Sequence, residues 1–151
     1  MPATLGENKT IARRFLEEVF NRRNFAVVDE LVSDASTDEA EQSLVMYLVL
    51  QGFPDFRVNI ERMVAEDDKV AVLSTFGGTH TRPFMGIEPT GKGVLGRKID
   101  IFTIHGGKIT NILYNIDVFQ SLMIPLGAFP REAMYAGPGA APTNGEGARS
   151  R

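Results

Sequence analysis

The pattern of apolar residues changes at Pro54, and this change constrains the fold more than any other feature of the sequence. Before Pro54 the apolar residues recur at spacings of three and four, which places them on one face of a helix. After Pro54 they form shorter, β-branched runs separated by turn residues, as in an antiparallel sheet. Helices followed by such a sheet predict an α+β domain in which the sheet curls over the helices to bury its apolar face.

Three helices are predicted in the first third of the chain. The first runs from Asn8 to Phe20, with its apolar residues on one face. A second, short helix starts at Asn24, a good N-cap, and turns Phe25 inward. Ser36 and Glu39 are spaced as a capping box for a third helix, and the apolar run that follows predicts deep burial.

Four strands are predicted after the helices. Segments 56–65 and 69–79 are joined by a short acidic turn, and segments 94–105 and 108–118 are joined by two glycines, so the strands form two hairpins. The Gly- and Pro-rich stretch 83–93 between the hairpins predicts a loop. Such a loop would shape the entrance to a pocket enclosed by the sheet.

Length and composition favour one domain and exclude several functions. A chain of 151 residues, 43% of them hydrophobic, supports one core, predicted over 1–127, while the Gly-, Ala- and Pro-rich segment 128–151 predicts a largely disordered tail. A net charge of −3 without a basic patch argues against nucleic acid as a partner. The chain has no cysteine for a disulfide or a thiolate. Because it shows neither a signal peptide nor a long apolar run, we expect a cytoplasmic protein with no membrane partner.

Four short motifs occur in an order that is typical of one protein family. They are FPD at 53–55, GTHT at 78–81, GIEPTGK at 86–92 and a GGKI turn at 106–109 that precedes Asp117. In the joint order and spacing of these motifs, over roughly Asn8 to Gly127, the chain resembles the SnoaL-like polyketide cyclases (ester cyclases) of the NTF2-like superfamily.

The resemblance implies a fold, an activity and a mode of assembly. The fold is α+β, an NTF2-like cone in which a curved antiparallel sheet wraps around N-terminal helices and leaves an interior pocket. Family members close the rings of polyketide intermediates by intramolecular aldol condensation without a metal or an organic cofactor, and related proteins open epoxides or isomerise steroids. Relatives also bury the outer face of the sheet in a homodimer. The expected partners are therefore a hydrophobic small-molecule substrate and a second copy of the chain.

Two departures from the family pattern bear on the site. The segment after Ser33 is shorter than in the family and lacks a pocket histidine that members often carry there. On the last strand, Asn111 and Leu113 stand where an acidic residue and a tryptophan are common. The resemblance therefore implies a pocket rather than one particular reaction.

Asp117 matches the acid–base aspartate of the family. On an alternating strand it would point the same way as Leu113 and Asn115. If that direction is the interior of the cone, the pKa of Asp117 would rise toward values suited to moving protons on and off carbon. Alternatively, Asp117 caps a short helix that follows it.

Asp100 and His80 are further catalytic candidates. Asp100 sits in an apolar run, so it needs a partner such as Arg97 or His80, unless it lies exposed on an edge strand. His80 shares the alternation of Phe76 and would either polarise a substrate carbonyl or bond to the following loop at the rim. His105, which precedes the glycine turn, is expected in solvent. Two histidines so far apart argue against a metal site.

Three functions stay open. In ring closure or isomerisation, Asp117 abstracts and returns a proton while His80 or Asp100 stabilises the developing oxyanion. In epoxide opening, Arg97, Asp100 and Asp117 activate a water molecule. In the third, the domain binds a hydrophobic ligand or serves as a dimer module without catalysis. No metal or cofactor is expected in any of them, and the expected substrate contacts are Tyr47, Phe76, Met85, Arg97, Leu113 and Asn115.

Overall fold

The computed structural model describes the backbone of residues 3–34, 39–115 and 119–127, and the side chains of these residues except 39–45, 115 and 119. The predicted tail over 128–151 and Ser36 of the predicted capping box lie outside the described residues. Where the chain is described, three α-helices precede a four-stranded antiparallel sheet, which confirms the α+β architecture. None of the described helices is long and apolar enough to cross a membrane.

The first helix, α1, spans Leu5–Leu16 and begins earlier than predicted. Thr4 explains the earlier start, because its Oγ1 accepts the Glu7 N–H at 3.2 Å while Glu7 Oε2 accepts the Thr4 N–H at 2.6 Å. This reciprocal pair is a capping box. A π-helical turn, Glu17–Asn21, continues the helix. Together the two elements confirm the helix predicted over Asn8 to Phe20.

The second helix, α2, spans Ala26–Leu31 and differs from the prediction at its start. Asn24 is not the N-cap, because its side-chain amide donates to Glu18 Oε2 at 3.1 Å and Phe25 takes the cap position. Val27 and Leu31 are buried, whereas Phe25 in the cap position is 53% exposed. The predicted inward orientation of Phe25 is therefore wrong.

The third helix, α3, spans Glu39–Gly52 and buries Met46 and Val49, as the apolar run predicts. It ends against the loop that joins the two hairpins. A Cβ atom at Gly52 would lie 2.7 Å from the Cβ of Phe84 in that loop. Only glycine therefore allows the loop to approach the end of α3 this closely.

The four strands form one antiparallel sheet in the order β1-β2-β3-β4. They are β1 (Arg57–Glu66), β2 (Lys69–Thr79), β3 (Gly93–His105) and β4 (Lys108–Asn115). Neighbouring strands in the chain are also neighbours in the sheet, which confirms both predicted hairpins. The irregular segment 80–92 joins the hairpins, as predicted.

The sheet is curved and does not close into a barrel. Register shifts follow Ile60 in the β1–β2 pair and Thr103 in the β3–β4 pair, and such bulges bend a sheet. Gly96 allows close packing on the inner face, because a Cβ there would lie 2.5 Å from Cζ of Phe76 on the paired strand. The ring of Phe76 therefore occupies the space that a side chain at position 96 would fill.

The two faces of the sheet differ in burial. Along β3, Lys98, Asp100 and Phe102 are buried, whereas their neighbours Arg97 and Ile99 are exposed, because successive strand residues point to opposite faces. The buried face, called the inner face below, packs with α1 around the hydrophobic core. The opposite face is called the outer face.

Candidate active site

Polar side chains from three strands meet in the middle of the inner face. Ser74 pairs with Lys98 in the β2–β3 register, and Asp100 pairs with Tyr114 in the β3–β4 register. Directly paired residues on one face of antiparallel strands have Cβ atoms about 4.5–5.5 Å apart. Ser74, Lys98, Asp100 and Tyr114 therefore form one contiguous group, called the interior polar patch below.

Lys98 and Asp100 form an ion pair within this patch. The Lys98 ammonium donates to Asp100 Oδ2, and neither side chain has any surface exposed to solvent. Lys98 Nζ also lies 5.1 Å from the ring centroid of Phe20 and 5.8 Å from that of Tyr114, within the range of cation–π interactions. The π-helical turn Glu17–Asn21 supplies Phe20, so this turn positions the aromatic wall of the patch.

The apolar surroundings of the pair affect where its proton resides. Burial lowers the pKa of Lys98, an effect that the Asp100 carboxylate opposes. Transfer of one proton from the ammonium to the carboxylate would remove both charges from the interior. A pair whose proton can move in this way is suited to general acid–base chemistry.

The Ser74 hydroxyl adds a hydrogen-bonding group to the patch. Its Oγ is buried and has no hydrogen-bond partner among the described residues. Leaving a buried hydroxyl unbonded costs about 1–3 kcal/mol. Ser74 is therefore available to donate to an oxygen atom of a bound molecule beside Lys98.

An open groove of about 610 Å³ lies at the β1 side of the sheet. Its lining includes Arg57, Thr75 and Leu95, which alternate with the buried residues of their strands and therefore point to the outer face. Phe76 of the inner face also borders it, but no residue of the interior polar patch does. The groove and the interior polar patch are therefore separate features of the sheet.

His80 is buried beyond the end of β2, away from the patch. Its Nδ1 accepts the Thr90 N–H at 3.2 Å and lies 3.0 Å from Thr90 Oγ1, and its ring centroid is 5.3 Å from that of Phe53. Asp100 pairs with Val72, eight residues before His80, which is roughly 26 Å along an extended strand. His80 is therefore hydrogen-bonded to the loop that follows β2, which is one of the two interpretations of the sequence. It is not close to Asp100.

Asp100 lies on an internal strand and is fully buried, so the alternative interpretation, an exposed residue on an edge strand, is wrong. Its partner is Lys98 and not Arg97. Arg97 points to the outer face, where its Nη2 lies 3.0 Å from Glu61 Oε2. Because Arg97 and Asp100 face opposite sides of the sheet, the structure does not assemble the set of residues expected for epoxide opening.

The predicted substrate contacts divide between the interior and the surface. Phe76 is buried on the inner face. Tyr47, Met85 and Leu113 are 59%, 55% and 50% exposed, respectively. Tyr47 lies in a run that is apolar all round its helix, so the sequence does not show which side of the helix faces solvent. Leu113 is exposed because it lies on the outer face of β4. Asp117 and the side chain of Asn115 lie outside the part of the chain that the structure describes.

Sequence reasoning missed Lys98 and Ser74. The signal for Lys98 was present, because residues two apart on a strand share a face and Asp100 was already a candidate. Ser74 could not be placed opposite Lys98 without knowledge of the register between β2 and β3.

The groups of the patch can exchange protons. An ammonium group repels metal cations, and the described part of the chain contains no cluster of three or more histidine or acidic side chains that could hold a metal ion. A carboxylate, an amine and two hydroxyl-bearing side chains instead offer groups that donate and accept protons.

A curved antiparallel sheet over helices, with charged groups on its inner face, defines this chain as an NTF2-like α+β domain. The family model for SnoaL-like polyketide cyclases matches residues 10–123. The chain therefore belongs to the SnoaL-like polyketide cyclase family. None of the curated protein sequences compared with the chain matches it.

Solved structures with this fold are similar over most of the chain. AclR of Streptomyces galilaeus, described as a suspected hydroxylase, superposes with a TM-score of 0.73 at 24% identity and covers 84% of this chain and 100% of its own. A SnoaL-like protein from Jannaschia sp. CCS1, described as a suspected polyketide cyclase, gives 0.72 at 22% identity, with 85% and 97% covered. IdmH of Streptomyces antibioticus, with the same kind of description, gives 0.66 at 19% identity, with 80% and 98% covered. At these identities the likeness supports the fold alone.

Proposed function

We propose that this protein is a cofactor-independent cyclase or isomerase that acts on a polyketide-like hydrophobic molecule by carboxylate acid–base catalysis. Membership of the SnoaL-like polyketide cyclase family supports the substrate class. The main structural support is the buried Asp100–Lys98 pair on the inner face of the sheet. Burial disfavours the charged forms of both groups, which favours movement of a proton within the pair.

In this proposal Asp100 removes a proton from the carbon next to a substrate carbonyl. The Lys98 ammonium stabilises the negative charge that develops on the carbonyl oxygen, and the Ser74 hydroxyl donates to the same oxygen. The carbanion then attacks a second carbonyl of the same molecule, or regains the proton at another carbon. Asp117, which matches the acid–base aspartate of the family, is the second candidate for the base.

Proton abstraction is measurable without knowledge of the natural substrate. The probe is β-tetralone, a flat apolar ketone, whose exchange of carbon-bound protons in deuterium oxide is followed by NMR. We expect the protein to accelerate exchange, and Asp100→Asn to slow it by on the order of 10²–10⁴-fold. Asp68→Asn is the matched control, because Asp68 also pairs with a lysine, Lys69 at 2.9 Å, but at the surface.

Further variants separate the possible outcomes. Asp117→Asn shows which carboxylate is the base, and circular dichroism shows whether each variant folds. If Asp100→Asn does not fold, Lys98→Met/Asp100→Leu removes the charges while keeping similar volume. Binding of β-tetralone without accelerated exchange would instead favour a ligand-binding protein without catalysis.

A homodimer is the proposed assembly. The outer face of the sheet exposes four large apolar side chains, at 46–80% of their surface: Val64, Leu95, Ile99 and Leu113. Exposed apolar patches commonly mark interaction sites. We expect a dimer by size-exclusion chromatography with light scattering, and a monomer for Leu113→Lys. A monomeric wild-type protein would contradict the proposal.

A further inference from the structure

We propose that Lys98 is an amine nucleophile that binds a ketone or aldehyde substrate covalently, as an imine, inside the domain. This role of Lys98 rests on the proposed function and deepens it, because it specifies the reactive group of the substrate and replaces stabilisation of the oxyanion by the Lys98 ammonium with a covalent bond to the same carbonyl carbon. It assigns to Lys98 the covalent step and to Asp100 the proton transfers that accompany it.

The position of Lys98 suits a covalent reaction at a carbonyl. Strand register places Ser74 opposite Lys98 and Tyr114 opposite Asp100, so an amine, a carboxylate and two hydroxyl-bearing side chains share one face. Formation of an imine needs a nucleophile, a group that moves protons and a donor that holds the carbonyl oxygen. The interior polar patch contains all three kinds of group next to one another.

The surroundings of Lys98 favour the reactive form of its amine. Only a neutral amine adds to a carbonyl, and removal from water disfavours the charged form. The side chain of Lys98 has no exposed surface, and its Nζ lies over the Phe20 ring at 5.1 Å. Burial lowers the pKa of Lys98 accordingly. Asp100, in direct contact, can accept the proton that the ammonium gives up.

Stability alone does not explain why such a pair is buried. Replacing a buried ion pair with well-packed apolar residues is often neutral or stabilising, by about 1–4 kcal/mol. The Ser74 hydroxyl beside the pair is likewise buried without a partner among the described residues. Polar groups that cost stability and face one another are expected where a polar molecule binds.

The reaction balances with the groups present. The Lys98 ammonium passes a proton to the Asp100 carboxylate, and the neutral amine adds to the carbonyl carbon to give a carbinolamine. The Asp100 carboxyl group returns its proton to the carbinolamine hydroxyl, which leaves as water while the nitrogen lone pair forms the C=N bond. The product is an iminium ion beside a carboxylate, with one water released. The carbon next to the iminium is then acidic enough to lose a proton and form a nucleophilic enamine.

Lys98 is enclosed by aromatic side chains of the inner face. Phe20 lies against its Nζ, and neither Lys98 nor Asp100 has exposed surface. Side chains of the inner face must therefore shift before a ketone reaches Nζ. A compact, flat ketone is therefore the appropriate probe.

The test is reductive trapping of the full-length protein with β-tetralone and sodium cyanoborohydride, followed by intact mass spectrometry and peptide mapping. We expect one reduced adduct on Lys98. Lys98→Arg, which keeps the charge, and Lys98→Met should both lose it, whereas Lys69→Met, which removes the exposed lysine that pairs with Asp68, should keep it. Asp100→Asn should slow trapping by on the order of a hundredfold.

Several results would overturn this role of Lys98. Adducts spread over surface lysines at a rate unchanged by Lys98→Met would do so. An unmodified native protein would also do so, provided that protein unfolded in urea is labelled under the same conditions. Peptide mapping of the wild-type protein gives this answer even if a Lys98 variant does not fold.

The proton-exchange assay separates this inference from the proposed function. Exchange without an adduct, retained in Lys98→Arg, would overturn the imine and leave acid–base catalysis in place. An adduct on Lys98 without exchange would support the imine and contradict the cyclase or isomerase. If neither accelerated exchange nor an adduct were observed, the proposed function and the imine would both be contradicted.

Discussion

Two neighbouring residues of β3, Arg97 and Lys98, each form an ion pair, but on opposite faces of the sheet. Arg97 reaches Glu61 across the outer face, with 69% of its side chain exposed. Lys98 contacts Asp100 on the inner face, where neither side chain is exposed. Each pair joins one basic and one acidic side chain, and the two basic residues are adjacent in sequence, but the strand turns them to opposite faces.

The difference shows how strongly surroundings determine what an ion pair does. In water, exposed pairs contribute about 0.2–1 kcal/mol, because solvent and salt screen them. In the interior, each charge depends on the other, and removing one leaves an uncompensated charge. The inner pair is therefore a chemical site in an apolar medium, whereas the outer pair is a surface contact.

The largest effect is expected from breaking the inner pair. Lys98→Met should lower the free energy of unfolding by about 3–5 kcal/mol, because Asp100 is then buried without its counter-ion. Urea unfolding followed by circular dichroism measures the loss. Lys98→Met/Asp100→Leu should recover most of it. A loss below about 1 kcal/mol in the single variant would make the inner pair no different from the outer one.

A smaller effect is expected from crowding the inner face at Gly96, two residues before Lys98 on β3. Gly96→Ala would place a methyl group 2.5 Å from Cζ of Phe76, so the ring must move. Overpacking of this kind costs about 1–3 kcal/mol. Thermal unfolding should show the loss, and Gly96→Ala/Phe76→Leu should reduce it. If Gly96→Ala unfolded at the same temperature as the wild-type protein, the packing of the inner face would be more adaptable than the contact with Phe76 implies.

Asp55, an exposed carboxylate held by hydrogen bonds, tests whether exposure alone prevents a charge from contributing to stability. Although desolvation raises the pKa of Asp55, hydrogen bonds from Thr79 N–H (2.6 Å) and Thr79 Oγ1 (2.7 Å) outweigh it and lower that pKa below 3.8. Since the folded pKa is depressed, the stabilisation is present above pH 3.8 and is lost as pH falls through the folded value. Unfolding from pH 2 to 6 should therefore depend less on pH in Asp55→Asn. Asp29→Asn, on the exposed side of α2, is the control.

The smallest effect is expected from the outer pair. Glu61→Gln should change the free energy of unfolding by less than about 1 kcal/mol, and salt should reduce even that difference. Urea unfolding at low and high salt measures both effects. A loss comparable to that of Lys98→Met would show that the outer pair is protected from solvent, as it would be if a second copy covered the outer face.

Most of the fold could be predicted from the sequence because it depends on local patterns. Alternation and turn residues predicted all four strands and both hairpins, and spacing of apolar residues predicted α1. The errors arose where a side-chain contact competes with a local pattern. Asn24 bonds to Glu18 instead of capping α2, and Phe25 in the cap position is exposed.

The candidate site could be predicted only in part. Asp100 was recognised as a charge in an apolar run, but Arg97 was among the partners named for it. Lys98 is two residues from Asp100 and shares its face, whereas Arg97 is three residues away and points to the other face. Tyr47 and Leu113 have the composition of pocket residues and lie at the surface, since large apolar side chains also occur on exposed faces.

The π-helical turn at Glu17–Asn21 has a consequence for how this family could diversify. Its wider hydrogen-bond ring, closed by the Arg22 N–H on Glu17 O at 3.1 Å, accommodates one residue more than an α-helical turn. Deleting a single residue there would convert the wide turn to an α-helical one and change which side chain the turn presents to the interior. Phe20 would leave Lys98 while Phe15 kept its place against Phe102. A change of one codon in the first helix could thus remodel the wall of the interior without disturbing the frame that holds it.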